Sequence, residues 1–490
     1  MTICLSTFKR DVRSNKERKM KVLYVTSEAN PYAASGGLGD VMGALPISVA
    51  ENEDMTCEVI MPLYDTMKEV YRKDLELVCN LTFRHSWRET GASIFKLNNG
   101  KVTYYFVENH YYFDRGRLYG EFDDAERFAF FSRAVVEYML YTGNIPDILH
   151  ANDWQTATAV IYLKTEYAHI QSFKGIKTVY TIHNIEYQGQ YDPYILGDIF
   201  GIHDKFKCIL EYNGCINLMK GAIVTSDFVT TVSPNYANEL THDFFAFGLS
   251  EIIKGAKGKM IGVINGIDYG YFSPETGGDI YASYTSRNYK SGKAKNKAAL
   301  QEELGLPVKK DVPLIVMITR LTAGKGIDLV LHIIEELLHE NVQVAVLGTG
   351  DKEYENAFVA LDAKYENMKV LIKFDRVISK KMYAGADIFV MPSKSEPCGL
   401  AQMIACSYGT IPVVRSVGGL YDSIRTVGEE GANGFRFDNY NAHELLFTIK
   451  AALELYGNKT EWNKLTASAK NSDFTWSNSA AKYIEIYKNL

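Results

Sequence analysis

The sequence has no CxxC pair, no apolar run long enough to span a bilayer and no strong charge of either sign. Its 7 cysteines in 490 residues are scattered and odd in number. That gives neither a disulfide framework nor a zinc-ligand spacing, and it fits a reducing, cytoplasmic compartment. The missing apolar run excludes a spanning helix and, with it, a membrane partner. A formal net charge of −6 leaves no broad basic surface for nucleic acid. A full G-x-G-x-x-G is also missing. "GTGD" at Gly348 lacks the third glycine and an acidic ribose partner, so NAD is set aside. Residues 1–19 carry both signs of charge without an apolar core, which excludes a secretory signal. They read as a disordered leader before a natural start at Met20, with a short ordered arm as the alternative.

What is present is ordinary for a globular chain: 47% hydrophobic and 23% charged residues. A length of 490 residues exceeds one core, so two domains are expected. Tyrosine is abundant, at 33 residues, as sugar platforms or simply as core and surface rings. Apolar Val- and Ile-rich runs alternate with helix-period segments. The first half predicts strands at Lys21–Thr26, Cys57–Pro62, Val102–Glu108, Asp147–Ala151, Thr178–His183, Val229–Ser233 and Ile261–Asn265. The second predicts them at "PLIVMITR", "VQVAVLG", "KVLIKF", "DIFVMPS" and "IPVVRS". Near-continuous apolar strands separated by helices imply mostly parallel sheets covered on both faces. The expected division is 20–272 for a first Rossmann-like domain, 273–305 for a Gly-, Ser- and Tyr-rich crossing, and 306–470 for a second doubly wound domain. Residues 471–490 form a closing amphipathic helix, with Ser477 and Asn478 near its cap.

Ligands of such sheets gather at the carboxyl ends of the strands, so those ends are read for chemistry. "SGGLGD" and "SVGGLYD" place two adjacent glycines at a strand exit twice, at Gly36 and Gly418. Each lets backbone approach an anion closely at a helix start. A ligand with phosphate at one end and sugar at the other would bridge the two domains. Asp40 and Asp422 could cap or brace their helices, and for Asp422 that role is favoured over a ligand contact. Arg320 and Lys325 lie on one glycine-bearing loop, suited to a diphosphate or simply solvated. Glu396 could accept from sugar hydroxyls or cap the next helix, and the N–H groups of Gly399 and Leu400 could meet phosphate. Cys398 reads as a packed small residue rather than a nucleophile. Asp153, Trp154, His183, Asn184, Asn265 and Asp268 sit at further strand exits. For His183 a structural role competes with a functional one, and for Asn265 and Asp268 a plain turn does.

Taken together, "SGGLGDVMGALP", "HANDWQT", "TIHNIEYQG", "TTVSPNYANEL", "VINGID", "TRLTAGKGIDL", "YAGADIFVMPSKSEPCGLAQ" and "VVRSVGGLYDSI" resemble the bacterial glycogen synthases and plant starch synthases. These are retaining glucosyltransferases of the GT-B fold, and the match runs from Lys21 to the end. The resemblance implies an α/β GT-B architecture. Two doubly wound Rossmann-like domains would face a cleft, and the C-terminal helix would pack back toward the first domain. It implies transfer of glucose from a nucleotide-glucose, ADP-glucose first and UDP-glucose as the alternative, to the non-reducing 4-OH of an α-1,4-glucan. It implies no metal and no cofactor. On the same basis Arg320 and Lys325 would hold the departing diphosphate, and Glu396 the glucose hydroxyls. His183 would sit against the glucose, Asp153 near the acceptor. Ser35, Gly36, Gly37, Asp40, Asn184, Asn265, Cys398, Gly399, Leu400, Gly418 and Gly419 would border the donor. Tyr112 and Phe113 in "NHYYFDRG" would stack on glucan. No carboxylate pair forms the set of a retaining glycosidase, so front-face displacement assisted by the leaving phosphate is expected. Three positions depart from the family pattern: Ala34 where a lysine is usual, Asn152 in place of a histidine, and Val417 in place of a threonine. A nucleotide-sugar epimerase and a catalytically silent glucan-binding protein are the remaining alternatives.

Overall fold

The computed structural model describes residues 18–276 and 278–490. The leader expected at 1–19 therefore falls outside the described residues except for Arg18 and Lys19. Arg18 meets the Asp147 carboxylate at 2.9 Å.

The first domain is built on β1 (Met20–Val25), β2 (Met55–Pro62), β3 (Glu76–His85), β4 (Arg88–Asn99), β5 (Val102–Glu108), β6 (Ile148–Asn152) and β7 (Lys177–Ile182). After these come β8 (Gln190–Tyr191), β9 (Glu211–Tyr212), β10 (Cys215–Asn217), β11 (Phe228–Thr231) and β12 (Met260–Gly262). Among the described residues nine strands form one sheet in the order β12-β11-β7-β6-β1-β2-β5-β4-β3, and β8-β10-β9 make a small separate one. The inner strands pair parallel and are apolar along their length, as burial on both faces requires. The hairpin β3–β4 adds an antiparallel edge that the apolar runs did not predict. Its outer strand buries only alternate residues near its end.

The second sheet contains β13 (Leu314–Ile318), β14 (Gln343–Leu347), β15 (Met368–Leu371), β16 (Ile388–Met391), β17 (Ile411–Arg415) and β18 (Phe435–Phe437). Its order is β15-β14-β13-β16-β17-β18, all parallel. Within the crossing, residues Tyr289–Glu303 form a helix.

These orders decide where a ligand can sit. In the first sheet the chain runs from β1 to β2, out to the edge hairpin β3–β4 and back to β5 beside β2, then places β6 on the other side of β1. In the second it runs from β13 to β15, then returns to place β16 beside β13. At each reversal the two flanking loops diverge and leave a crevice at the carboxyl edge. Residues 26–36 and 153 flank the first reversal; residues 319–326 and 392–400 flank the second.

The closing helix Trp476–Lys488 packs back on the first domain, against helix Gly37–Ala50. Tyr487 Oη lies 2.7 Å from His150 Nδ1 and 3.1 Å from Tyr24 Oη. Its cap lies beside Ser477 and Asn478, as expected. Thr475 takes the cap position, while Asp473 accepts from the Thr475 N–H and from Asn478 Nδ2, both at 2.9 Å. Ser477 and Asn478 thus lie in the first turn.

The domains also touch directly. Asp422 Oδ2 accepts from Ser233 Oγ at 2.5 Å and from the Asn235 N–H at 2.9 Å. Asp422 therefore braces the other domain's helix Pro234–Glu239 rather than its own.

Candidate active site

At the second reversal, Gly326 (φ 71°) brings the loop after β13 against the exit of β16; a Cβ there would meet Pro392 O at 2.2 Å. This approach sets Lys325 beside Glu396. Lys325 Nζ donates to Glu396 Oε2 at 2.6 Å, and Ser393 Oγ donates to the same oxygen at 2.9 Å. Glu396 is buried and bonds these side chains, so it does not cap the following helix. Arg320 is exposed, and among the described residues its guanidinium has no hydrogen-bonding or ionic partner. Gly399 (φ 70°) and Leu400 precede helix Ala401–Ser407, and their N–H groups donate to no other described residue. Burial pushes the Cys398 thiol up to about 12, with Asn265 beside it. That thiol is unreactive packing. Among the described residues Asn265 Oδ1 is buried without a partner, an unsatisfied acceptor of the kind that calls for a functional account.

At the first reversal, Asp153 adopts φ 57°, ψ 179°, a region that side chains avoid. The strain aims its carboxylate at the turn after β7, where Oδ1 accepts from the His183 N–H at 2.7 Å and the Asn184 N–H at 3.4 Å. Burial raises Asp153 to about 7; those N–H groups oppose the rise and the Glu28 charge adds to it. His183 Nε2 lies 3.0 Å from Asn152 Oδ1. Asn152 Nδ2 donates to Val25 O and His150 O, so its oxygen must face the imidazole. His183 therefore carries its proton on Nε2 and leaves Nδ1 as an acceptor. Burial lowers the ring to about 3, so it is neutral. The asparagine at 152 thus sets the His183 tautomer. Asn184 Oδ1 is taken up by the Glu186 N–H at 3.0 Å.

The two glycine pairs prove unlike. Ser35, Gly36 and Gly37 are exposed, but the N–H groups of Ser35 and Gly36 already donate to Glu28 Oε2, the second at 3.2 Å. Tyr119 Oη donates to Glu28 Oε1 at 3.1 Å. Sequence reasoning missed Glu28, a buried carboxylate whose pKa is raised by burial. Only its place at the exit of β1 hinted at it. Asp40 Oδ1 accepts from Asn30 Nδ2 at 2.5 Å. Burial raises Asp40, while the charge of Arg376 from the second domain pulls it down.

Gly418 and Gly419 are buried and do not reach for a ligand. The Gly418 N–H donates to Glu239 Oε1 at 2.9 Å, and the Gly419 N–H to Glu396 O and Pro397 O at 3.1 Å. The group held at this helix start is the first domain's own Glu239 carboxyl. Both residues are withdrawn as direct donor contacts; they let the turn lie on the 396–398 loop. Tyr112 and Phe113 are withdrawn as stacking rings, being 5% and 0% exposed. Tyr112 Oη bonds Glu126 at 2.7 Å, and its ring packs 4.5 Å from that of Phe130.

The structure thus groups Arg320, Lys325, Glu396, Gly399, Leu400 and Cys398 at one crevice. Asp153, His183, Asn184, Ser35, Gly36, Gly37 and Asp40 line the other, and Asn265 joins them through Cys398. Such a grouping can hold an anionic leaving group on one side and hydroxyl groups on the other. Among the described residues no His, Cys, Asp and Glu cluster has the geometry of a metal site.

A family model described as starch synthase catalytic domain matches residues 21–255, and one described as glycosyl transferases group 1 matches 301–471. Glycogen synthase from Natranaerobius thermophilus is 42% identical, covering 96% of this chain and 97% of its own. That from Alkaliphilus metalliredigens is 43% identical, covering 96% and 100%. The solved catalytic domain of starch synthase IV from Arabidopsis thaliana, bound to ADP and acarbose, superposes with a TM-score of 0.89 at 32% identity. That alignment covers 96% of this chain and 99% of the other. A sucrose-phosphate synthase from Thermosynechococcus elongatus shares the fold alone, with a TM-score of 0.60 at 16% identity over 96% and 99% of the two chains.

Proposed function

Because the chain belongs to the glycogen and starch synthase family of glycosyltransferases, we propose that it moves glucose from ADP-glucose to the non-reducing 4-OH of an α-1,4-glucan with retention. The observation that carries this reading is the Lys325–Glu396 contact at the second reversal, with Arg320 unengaged beside it. A nucleotide-sugar diphosphate gains charge as its glycosidic bond breaks. Arg320 and Lys325 stabilise that charge in place, and such preorganised stabilisation is commonly the largest catalytic contribution. Glu396, held by Lys325 and Ser393, offers its remaining oxygen to glucose hydroxyls. The free N–H groups of Gly399 and Leu400 suit the phosphates.

Asp153 is turned onto backbone N–H groups and Glu396 onto Lys325. Neither stands as a free nucleophile, which supports front-face displacement, with the leaving phosphate taking the acceptor proton. The relative bound to ADP supports adenosine over uridine. Unpaired cysteines at all six described positions support work in the cytoplasm.

The test is to incubate pure protein with ADP-glucose or UDP-glucose plus glycogen. Polymer growth faster with ADP-glucose is the expected result. Growth only with UDP-glucose moves the donor assignment; an epimer, or binding without growth, overturns the reaction.

A donor reading specific to this chain arises at Ala34. A Cβ on Gly39 would lie 2.3 Å from that of Ala34 and 3.4 Å from Glu28 Oε2. Position 34 thus lies near the buried Glu28 carboxyl and beside the donor turn. The family pattern puts a lysine here, and its absence leaves the donor one cation short. Ala34→Lys is expected to lower the donor Michaelis constant about tenfold, a charge-assisted bond being worth about 1.5–3 kcal/mol, with Glu28 competing for part of it. An unchanged or raised constant for both donors shows instead that another cation, such as Arg376, already fills the place.

A further inference from the structure

We propose that Tyr187, Phe244 and Phe247 form an aromatic rim that carries the α-1,4-glucan acceptor up to His183, an inference that rests on the glucan-extending reaction above. The three rings are 54%, 66% and 49% exposed. Large rings left in water in one neighbourhood mark a binding surface. Tyr112 and Phe113, the rings expected to stack on glucan, are buried.

The rings stand on two loops at the carboxyl edge of the first sheet, and the loops are tied together. Tyr187 lies on the turn that begins at His183, its N–H directed to Asn184 O at 3.4 Å. The next residue, Gln188, is buried. Its Oε1 accepts from Asn217 Nδ2 at 2.7 Å and from Gln190 Nε2 at 2.9 Å. Those two bonds fix the amide, so Nε2 must point outward, and it donates to Phe247 O at 3.0 Å. Ser250 Oγ bonds Asp243 and closes the second loop.

Phe247 itself has φ 47°, ψ 42°. A bulky residue rarely takes this left-handed conformation. The strain persists because Gln188 holds the carbonyl, and strained backbone of this kind gathers at ligand sites. Gly248 (φ 88°) continues the turn without cost.

A pyranose ring presents an apolar C–H face and a rim of hydroxyl groups. Tyrosine and phenylalanine rings cover the first at little conformational cost. The exposed carboxylate of Glu186, between His183 and Tyr187, can accept from the second. A glucan chain laid on the rim would end beside His183, where glucose is added.

The experiment compares wild-type protein with Tyr187→Ala/Phe244→Ala and the ring-keeping pair Tyr187→Phe/Phe244→Tyr. Both residues are exposed, so folding is not at stake. Half-saturating concentrations are measured for glycogen and for ADP-glucose, with mobility in glycogen-containing native gels as a readout that needs no turnover. The alanine pair is expected to raise the glycogen value about tenfold, the scale of losing aromatic contacts, and to migrate faster in the glycogen gel. The ADP-glucose value stays within about twofold, and the ring-keeping pair behaves as wild type. An active alanine pair with wild-type glycogen saturation and gel retardation overturns the rim alone. So does a variant whose only change in sedimentation is lost self-association, which would make the patch a contact between copies. Wild-type protein that neither extends nor binds glycogen overturns the proposed function and the rim with it.

Discussion

Lys325→Ala and Arg320→Ala are each expected to lower turnover with ADP-glucose and glycogen by roughly 10²–10³-fold, the scale of losing one preorganised donor at a developing charge. The two losses should differ in kind. Arg320 is exposed and unengaged, so its removal subtracts only the charge offered to the leaving diphosphate. Folding and melting stay as in wild type. Lys325 does a second job. Its Nζ is the cation against Glu396 Oε2, at 2.6 Å, and Glu396 is 8% exposed. Removing the lysine leaves a buried carboxylate without its counter-charge, which is costly even where the intact pair contributes little. Lys325→Ala should therefore also melt earlier and bind glucose hydroxyls less well, because Glu396 loses its orientation. Steady-state rates beside a melting curve separate the two. Near wild-type turnover in either folded variant removes that residue from the mechanism.

The parts of this site that the sequence revealed are those where one residue type at one strand end leaves few options. Arg320, Lys325 and Glu396 follow β13 and β16, and the strands themselves were plain because buried parallel strands are apolar throughout. The hairpin β3–β4 escaped for the opposite reason. "ELVCNLTFRH" is largely exposed, and its turn uses Ser86 at φ 58° rather than a glycine, so neither an apolar run nor a turn signal announces it. Tyr112 and Phe113 looked like surface rings since aromatic residues near a loop carry no sign of which way they face. Helix Asp124–Thr142 covers them with Phe130, a contact 18 residues distant in sequence from Tyr112. Glu28 stayed hidden because the string alone cannot tell which carboxylate will satisfy a neighbouring turn. Asn152 shows a substitution whose sense appears only in three dimensions: its two donor bonds leave one oxygen, and that oxygen settles the proton on His183.

Gly418→Ala is expected to lower the melting temperature by roughly 5–10 °C and turnover at least tenfold, while Gly37→Ala leaves melting unchanged or slightly raised. The two positions share the string G-G-L, and the difference lies wholly in what surrounds them. At Gly37 a Cβ would find nothing within 4 Å, and the residue opens helix Gly37–Ala50, where alanine loses less backbone freedom on folding than glycine does. At Gly418 a Cβ would stand 2.0 Å from Glu396 O and 2.9 Å from Glu396 C. These are backbone atoms that cannot swing aside. Its φ of 44° adds a further cost of about 1–2 kcal/mol for any residue with a side chain. Relief requires the turn to withdraw from the loop after β16. That movement displaces Glu396 from Lys325 and breaks the Gly418 N–H bond to Glu239, which joins the domains. Stability and catalysis should therefore fall together at 418. At 37 any loss should appear as a raised donor Michaelis constant with no change in melting. If Gly418→Ala melts and turns over as wild type does, the second glycine pair is not what sets the Glu396 loop against the first domain.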